Sequence, residues 1–276
     1  MNLKKSLVAL FILLFAGFSY GQKLVEVWRT GPTLKTPESV LYDAASGIIY
    51  VSNINGTSDV KDGNGFISQL LPDGSVKQME WVSGLNAPKG MAIFNGKLYV
   101  SDIDELVEID IAEARVAARY PAPGSIFLND VAVCQNGMVF VTDSRTHKIH
   151  VLKDNQFSVW MEDENLQGLN GLYTEQGKLY IGSQKIQVAD IKTKTLSDLQ
   201  DGCGGIDGLE KDNAGNFVFS NWAGRIFYLE NGKMTKLWDS TEEKINTADV
   251  FFAKALDLLL VPTFNDNQVV AYKIEK

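Results

Sequence analysis

One pattern recurs six times along the chain, and its spacing restricts the fold more than any other feature. Each copy has an apolar residue or Pro (Thr in the last copy), then a pivot residue, a small or polar residue, and an apolar run. The copies are Pro37-Glu38-Ser39-Val40, Pro88-Lys89-Gly90-Met91, Leu128-Asn129-Asp130-Val131, Leu169-Asn170-Gly171-Leu172, Ile206-Asp207-Gly208-Leu209 and Thr247-Ala248-Asp249-Val250. Ten to twelve residues after each pivot lies the middle of a second β-rich run opened by turn residues, such as Gly96-Lys97-Leu98-Tyr99-Val100. Successive pivots are 51, 40, 41, 37 and 41 residues apart. A four-stranded propeller blade takes roughly 40 to 45 residues. The longer first interval contains a Gly/Asp-rich loop, residues 53–65, which reads as an insertion into the first blade. The expectation is an all-β, six-bladed β-propeller.

A second column bears on closure of the ring. Eight to ten residues before the pivots stand Trp28, Trp81, Tyr120, Trp160, Leu199 and Trp238, placed on outer strands. Trp28 precedes the first copy and has no earlier blade to belong to. Residues 23–29 are therefore expected to form the fourth strand of the last blade, beside 269–274. That pairing covers two edges that would otherwise invite aggregation.

The charge balance limits the partners. With 26 Lys and Arg against 34 Asp and Glu, the net charge is -8, which leaves no basic surface for a nucleic-acid backbone. Lys4 and Lys5, the apolar run 7–18 and Ser19-Tyr20-Gly21 read as a secretory signal. The run is too short to span a bilayer, and no later stretch reaches transmembrane length. The expected organisation is a signal peptide over 1–21 and a single propeller over 22–276, secreted or periplasmic, with no lipobox Cys. The 255 residues after the signal amount to 42.5 per blade and leave no room for a second domain. Cys134 and Cys203 read as structural, and whether they bridge is open.

In a propeller the inner strands surround one axial channel, so the pivot column maps a site: Glu38, Lys89, Asn129, Asn170, Asp207 and Ala248. Four of the six offer oxygen donors suited to a hard divalent ion, Ca²⁺ or Mg²⁺ first, with Zn²⁺ or Mn²⁺ as further options. No Cys or His shares the column, which argues against an obligatory soft-ligand site. The competing reading is that Asn-Asp, Asn-Gly and Asp-Gly are ordinary turn dipeptides. Glu38 is not a turn former.

Glu38 in Pro-Glu-Ser-Val-Leu-Tyr-Asp, Asn129 in Leu-Asn-Asp-Val, Asn170 in Leu-Asn-Gly-Leu and Asp207 in Ile-Asp-Gly-Leu-Glu-Lys-Asp resemble, in order, the four metal-ligand segments of the senescence marker protein, gluconolactonase and luciferin-regenerating enzyme family. The resemblance implies a six-bladed propeller with a divalent metal in its channel that hydrolyses a small lactone or ester. Asp207 would be the general base and Glu38, Asn129, Asn170 and Asp207 the ligands. Two residues before Asn129, many sugar-lactone hydrolases of the family carry an arginine, and here Phe127 stands there. Lys89 within the column is a second departure. It can point away, lose its proton, or replace the metal as partner of Glu38 and Asp207, which would leave a non-catalytic binding scaffold.

Strand two returns to the same face. It brings Asn53, Asp102, Asp143, Ser183, Asn221 and Thr263 near the entrance, where Asp102, Asp143 and Asn221 join Lys89 as candidate channel or substrate contacts. His147 and His150 fall on opposite faces of a strand, cannot chelate together, and are expected on the solvent side. The loop around Asp59, Asp62 and Asn64 lacks EF-hand spacing and reads as a flap. No G-x-S-x-G, H-E-x-x-H or phosphate-binding loop occurs.

Overall fold

The computed structural model describes residues 22–275; the expected signal segment lies outside them. The chain forms six four-stranded antiparallel sheets, five of them built from consecutive strands. The first blade runs from its inner strand Pro37–Asp43 through Ile48–Asn53 and Gly65–Leu70 to Val76–Leu85. The inner strands of the next five are Pro88–Phe94, Leu128–Val133, Leu172–Glu175, Leu209–Lys211 and Phe251–Ala253. The sixth blade takes Lys23–Arg29 as its outermost strand, paired with Val269–Glu275 from Lys23 opposite Glu275 to Arg29 opposite Val270. Ring closure by the N-terminal strand is thus as the sequence pattern expects. Trp28 also lies against the Gly74 turn of the first blade, where a Cβ would sit 2.4 Å from its ring.

Burial follows from this stacking. A sheet covered on both faces by its neighbours reads as a continuous buried run, and Ile48–Asn53 is buried at every position. The outermost Arg115–Pro121 alternates between exposed and half-buried residues. The core is therefore a series of layers between blades. Tyr50, Ile67 and Trp81 of the first blade, for example, pack with Met91, Leu98 and Val107 of the second. Leu199 departs from the outer aromatic column. It is the unpaired residue of a bulge opposite Ile186 and Gln187 and is 48% exposed.

Cys134 and Cys203 are both free, so no bridge joins them. His150 corrects the solvent-side expectation: it is buried, with Nε2 3.0 Å from Ser125 Oγ and its ring against Phe157. Among the described residues no helix is long and apolar enough to cross a membrane.

Candidate functional site at the channel

In the first three blades the pivots owe their orientation to a repeated irregularity. Pairing between the first and second strands slips at Pro37/Ser39, at Pro88/Met91 and at Leu128/Val131, so Glu38, Lys89 and Asn129 sit in bulges, while Asn170, Asp207 and Ala248 stand just ahead of their inner strands. A bulge re-aims a side chain and leaves a backbone group without its ladder partner. Hydroxyls on the second strands take up the freed groups. Ser52 Oγ accepts from Ser39 N at 3.0 Å, Thr142 Oγ1 from Asp130 N at 2.9 Å, and Ser220 Oγ from Gly208 N at 2.9 Å. Ser101 Oγ and Ser220 Oγ also donate to the pivot carbonyls of the following blades, on Asn129 and Ala248.

One residue further along, the channel narrows to a waist where neighbouring inner strands touch. Asp249 N donates to Glu38 O at 3.0 Å, and Ser39 Oγ donates to Asp249 Oδ2 at 2.6 Å. Gly90, Gly171 and Gly208 occupy this register because nothing larger fits. A Cβ on them would lie 2.6 Å from Asp130 Cα, 2.6 Å from Asp207 O and 2.3 Å from Val250 N.

Glu38 and Asp207 are both buried. Burial, then repulsion from Asp207 and Asp249, raises the Glu38 carboxyl well above the usual carboxylate range, while Lys89 pulls the other way. Burial pushes Asp207 up to about 7, against a hydrogen bond at 2.5 Å from Asn170 Nδ2 to its Oδ1. Glu38 Oε2 is buried without a hydrogen-bond partner. Asn129 Nδ2 donates to Ser144 Oγ at 3.2 Å and makes no direct bond to the other three. The structure thus joins Asn170 to Asp207 directly, couples Glu38 to Asp207 through charge, and turns the Asn129 NH₂ to its own blade.

Lys89 is 1% exposed, and its Nζ donates to Ala87 O at 3.0 Å, 4.4 Å from the Phe127 ring centroid. No carboxylate lies within 4.0 Å of it among the described residues, so Lys89 is not the ion-pair partner of Glu38 and Asp207. Burial lowers its amine to about 8, although Glu38, Asp102 and Asp59 favour the charged form. The inserted loop crosses above. Asp59 Oδ2 accepts from both Arg145 Nη atoms at 3.1 Å, Lys61 reaches Asp104 at 2.6 Å, and the Arg145 guanidinium lies 4.3 Å over Phe127. Trp222 and Phe264 form an edge-on pair at 5.6 Å, and Phe264 packs against Ile54, Ala87 and Ile103.

Asp102, Asp143 and Asn221, the expected channel or substrate contacts, each hold backbone. Asp102 accepts from Asn86 N at 2.8 Å and Ala87 N at 2.7 Å; Asp143 accepts from Ile126 N at 3.0 Å and Phe127 N at 3.3 Å. Asn221 Nδ2 donates to Gly205 O at 2.6 Å. Each clamps the loop that leads into a pivot. Sequence reasoning missed Asp130 and Asp249 at the waist, although both stand one position after a pivot and share a register that could have revealed them.

No family model matches the sequence, and no curated protein does. Among solved structures the chain is similar to virginiamycin B lyase from Staphylococcus aureus. The selenomethionine-substituted form matches at 11% identity with a TM-score of 0.66, over 92% of this chain and 100% of that one. A catalytically inactive variant with quinupristin matches at 12% and 0.63, over 92% and 99%. A streptogramin B lyase matches at 13% and 0.64, over 92% and 98%. At these identities the likeness establishes the fold, a six-bladed β-propeller.

Proposed function

We propose that the protein is an exported, metal-dependent hydrolase of a small lactone or ester, working at the pivot end of the channel as in the senescence marker protein and gluconolactonase family. The supporting observation is the unpartnered, buried Glu38 Oε2 in the field of Asp207. Two buried carboxylates with no cation in contact are costly, and a divalent ion is the counter-charge that relieves them. The donor set fits a hard ion: Glu38 and Asp207 supply carboxylates, and Asn129 and Asn170 carry carbonyl oxygens while their NH₂ groups are engaged by Ser144 and Asp207. With only two acids, the set is smaller than three His, Cys, Asp or Glu, and no group of that size is found among the described residues.

When bound, such an ion supplies Lewis-acid polarisation of a carbonyl. Asn170 fixes Asp207 through Oδ1, which leaves Oδ2 to take a proton from an attacking water. Lys89 Nζ, in the same chamber, holds a proton for the departing alkoxide. Phe127 and the Trp222–Phe264 pair give the mouth an apolar surface that suits a less polar acyl group better than a sugar.

Calorimetry and thermal shift with Ca²⁺, Mg²⁺, Mn²⁺ and Zn²⁺, together with turnover of aliphatic lactones, sugar lactones and an aryl ester, test the reading. Binding of one divalent ion and turnover that both vanish in Asp207→Ala are expected. A chain that binds none of the four and turns over no substrate instead fits the alternative, a ligand-binding propeller without chemistry. The observation on that side is Lys89, a buried cation in the chamber.

A further inference from the structure

A cavity of about 540 Å³ occupies the other end of the axial channel. It reaches inward to Ser39 and Asp249 at the waist and outward to Asp43 and Lys254 in the turns that follow the inner strands. Its volume is in the range of small-molecule pockets, roughly 300–1,000 Å³. The wall is largely apolar, with Ile93, Val133, Leu209 and Phe251 among the lining residues. Asp130, Glu210 and Asp249 provide the inner charges and Asp43 an outer one, against a single lining cation, Lys254.

These groups are not equally engaged. Asp130 accepts from the backbone N–H groups of Val131 and Leu172, and Asp249 accepts from Ser39 Oγ. Both are used in joining blades at the waist. Lys254 is held at the rim, where Nζ donates to Tyr173 Oη at 3.0 Å and lies 5.5 Å from that ring centroid. Glu210 is half-buried and faces the cavity; the Lys211 backbone N–H meets its carboxyl, and no cation comes within 4.0 Å of it among the described residues. Burial holds this carboxyl up at about 8, against the pull of Lys254, which acts on it through space without touching it.

We propose that this cavity is a second ligand site, separate from the Glu38 and Asp207 chamber, for a small organic cation whose primary or secondary ammonium meets Glu210 while its apolar body lies along Ile93, Val133 and Phe251. The Lys254 ammonium, seated against Tyr173, is the chain's own example of such a group at the rim. An anion would face four lining acids and one lysine, and a neutral molecule would bring no positive charge into contact with Glu210.

The test compares three probes of similar shape, phenethylamine, 2-phenylethanol and 3-phenylpropionate, by calorimetry with the mature chain at about pH 9, where Glu210 is ionised and the amine still carries its proton. The amine should bind at least about tenfold tighter than the alcohol, and the propionate most weakly. Glu210→Gln should abolish the preference for the amine, and Lys254→Gln should raise amine affinity several-fold by removing a like charge. The opposite signs separate a charge effect from general loosening, and the Lys254→Gln measurement decides if Glu210→Gln does not fold. Equal binding of amine and alcohol, tightest binding of the propionate, an unchanged preference in Glu210→Gln, weaker amine binding in Lys254→Gln, or no binding at about 10 mM would each overturn the proposal.

Discussion

Replacing Asp102 separates a loop-building acid from a ligand-binding one. Its side chain is fully buried, Oδ1 accepts from Ala87 N at 2.7 Å, and Oδ2 accepts from Asn86 N at 2.8 Å. Asp102→Ala leaves both donors without partners, one on fully buried Ala87 and one on half-buried Asn86. A buried donor left unpaired costs about 1–3 kcal/mol, and these bonds go to a charged acceptor, so the loss is about 3–5 kcal/mol. For a domain of this size about 2–4 °C is lost per kcal/mol, and Tm should fall by roughly 6–20 °C. Asp102→Asn keeps one acceptor oxygen and turns an NH₂ toward the other donor, so about half of that loss is expected. The effect should also reach the channel, because Ala87, whose N–H Asp102 holds, also provides the carbonyl that takes the Lys89 ammonium. Circular-dichroism melting of the two variants, with metal binding measured well below Tm, is the assay. An Asp102→Ala protein that melts within about 2 °C of wild type yet has lost ligand or metal binding would refute the clamp and restore Asp102 as a site residue.

Three further outcomes are expected. Deleting residues 23–29 opens the last strand edge of the sixth blade and should give aggregation or a much lower Tm by light scattering and melting, whereas an unchanged Tm would contradict closure. Gly208→Ala places a Cβ 2.3 Å from Val250 N and 2.6 Å from Asp249 Oδ1, where backbone cannot yield, so urea denaturation should show a loss of about 1–3 kcal/mol. Glu210 keeps its proton in the folded chain to about pH 8 but releases it near 4.5 when unfolded, so its contribution to stability is complete below about pH 4.5 and is lost as pH rises toward 8. Glu210→Gln should flatten that part of the stability profile, and an unchanged slope between pH 5 and 8 would show that the group does not carry it.

The ring was legible because its cause is periodic. Every blade must bury two sheet faces and turn one residue of its first strand toward the axis, so the same pattern returns each time the chain completes a blade. Trp28, stranded ahead of the first repeat, even marked which strand closes the circle. The channel was legible only as a register. The sequence places Glu38, Lys89, Asn129, Asn170 and Asp207 at equivalent positions, but a register does not say which way a long side chain turns. Lys89 bends back to Ala87 O beneath Phe127 and leaves Glu38 and Asp207 without an ion pair, a choice made by packing around one ammonium.

The strand-end acids show the same limit. Asp102 and Asn86 are 16 residues apart, joined through a hairpin and a bulge, and no pattern of residue types distinguishes a carboxylate that clamps a loop from one that faces a ligand. Tyr173, Glu210 and Lys254 come from three blades and meet at the far opening only because the inner strands converge there. Periodicity along the chain, a local and repeated demand for burial, determined the number of blades, their order and the closing strand. Side-chain direction, hydrogen-bond partners and the second chamber depended on contacts between residues far apart in sequence, and those exist only once the ring has closed.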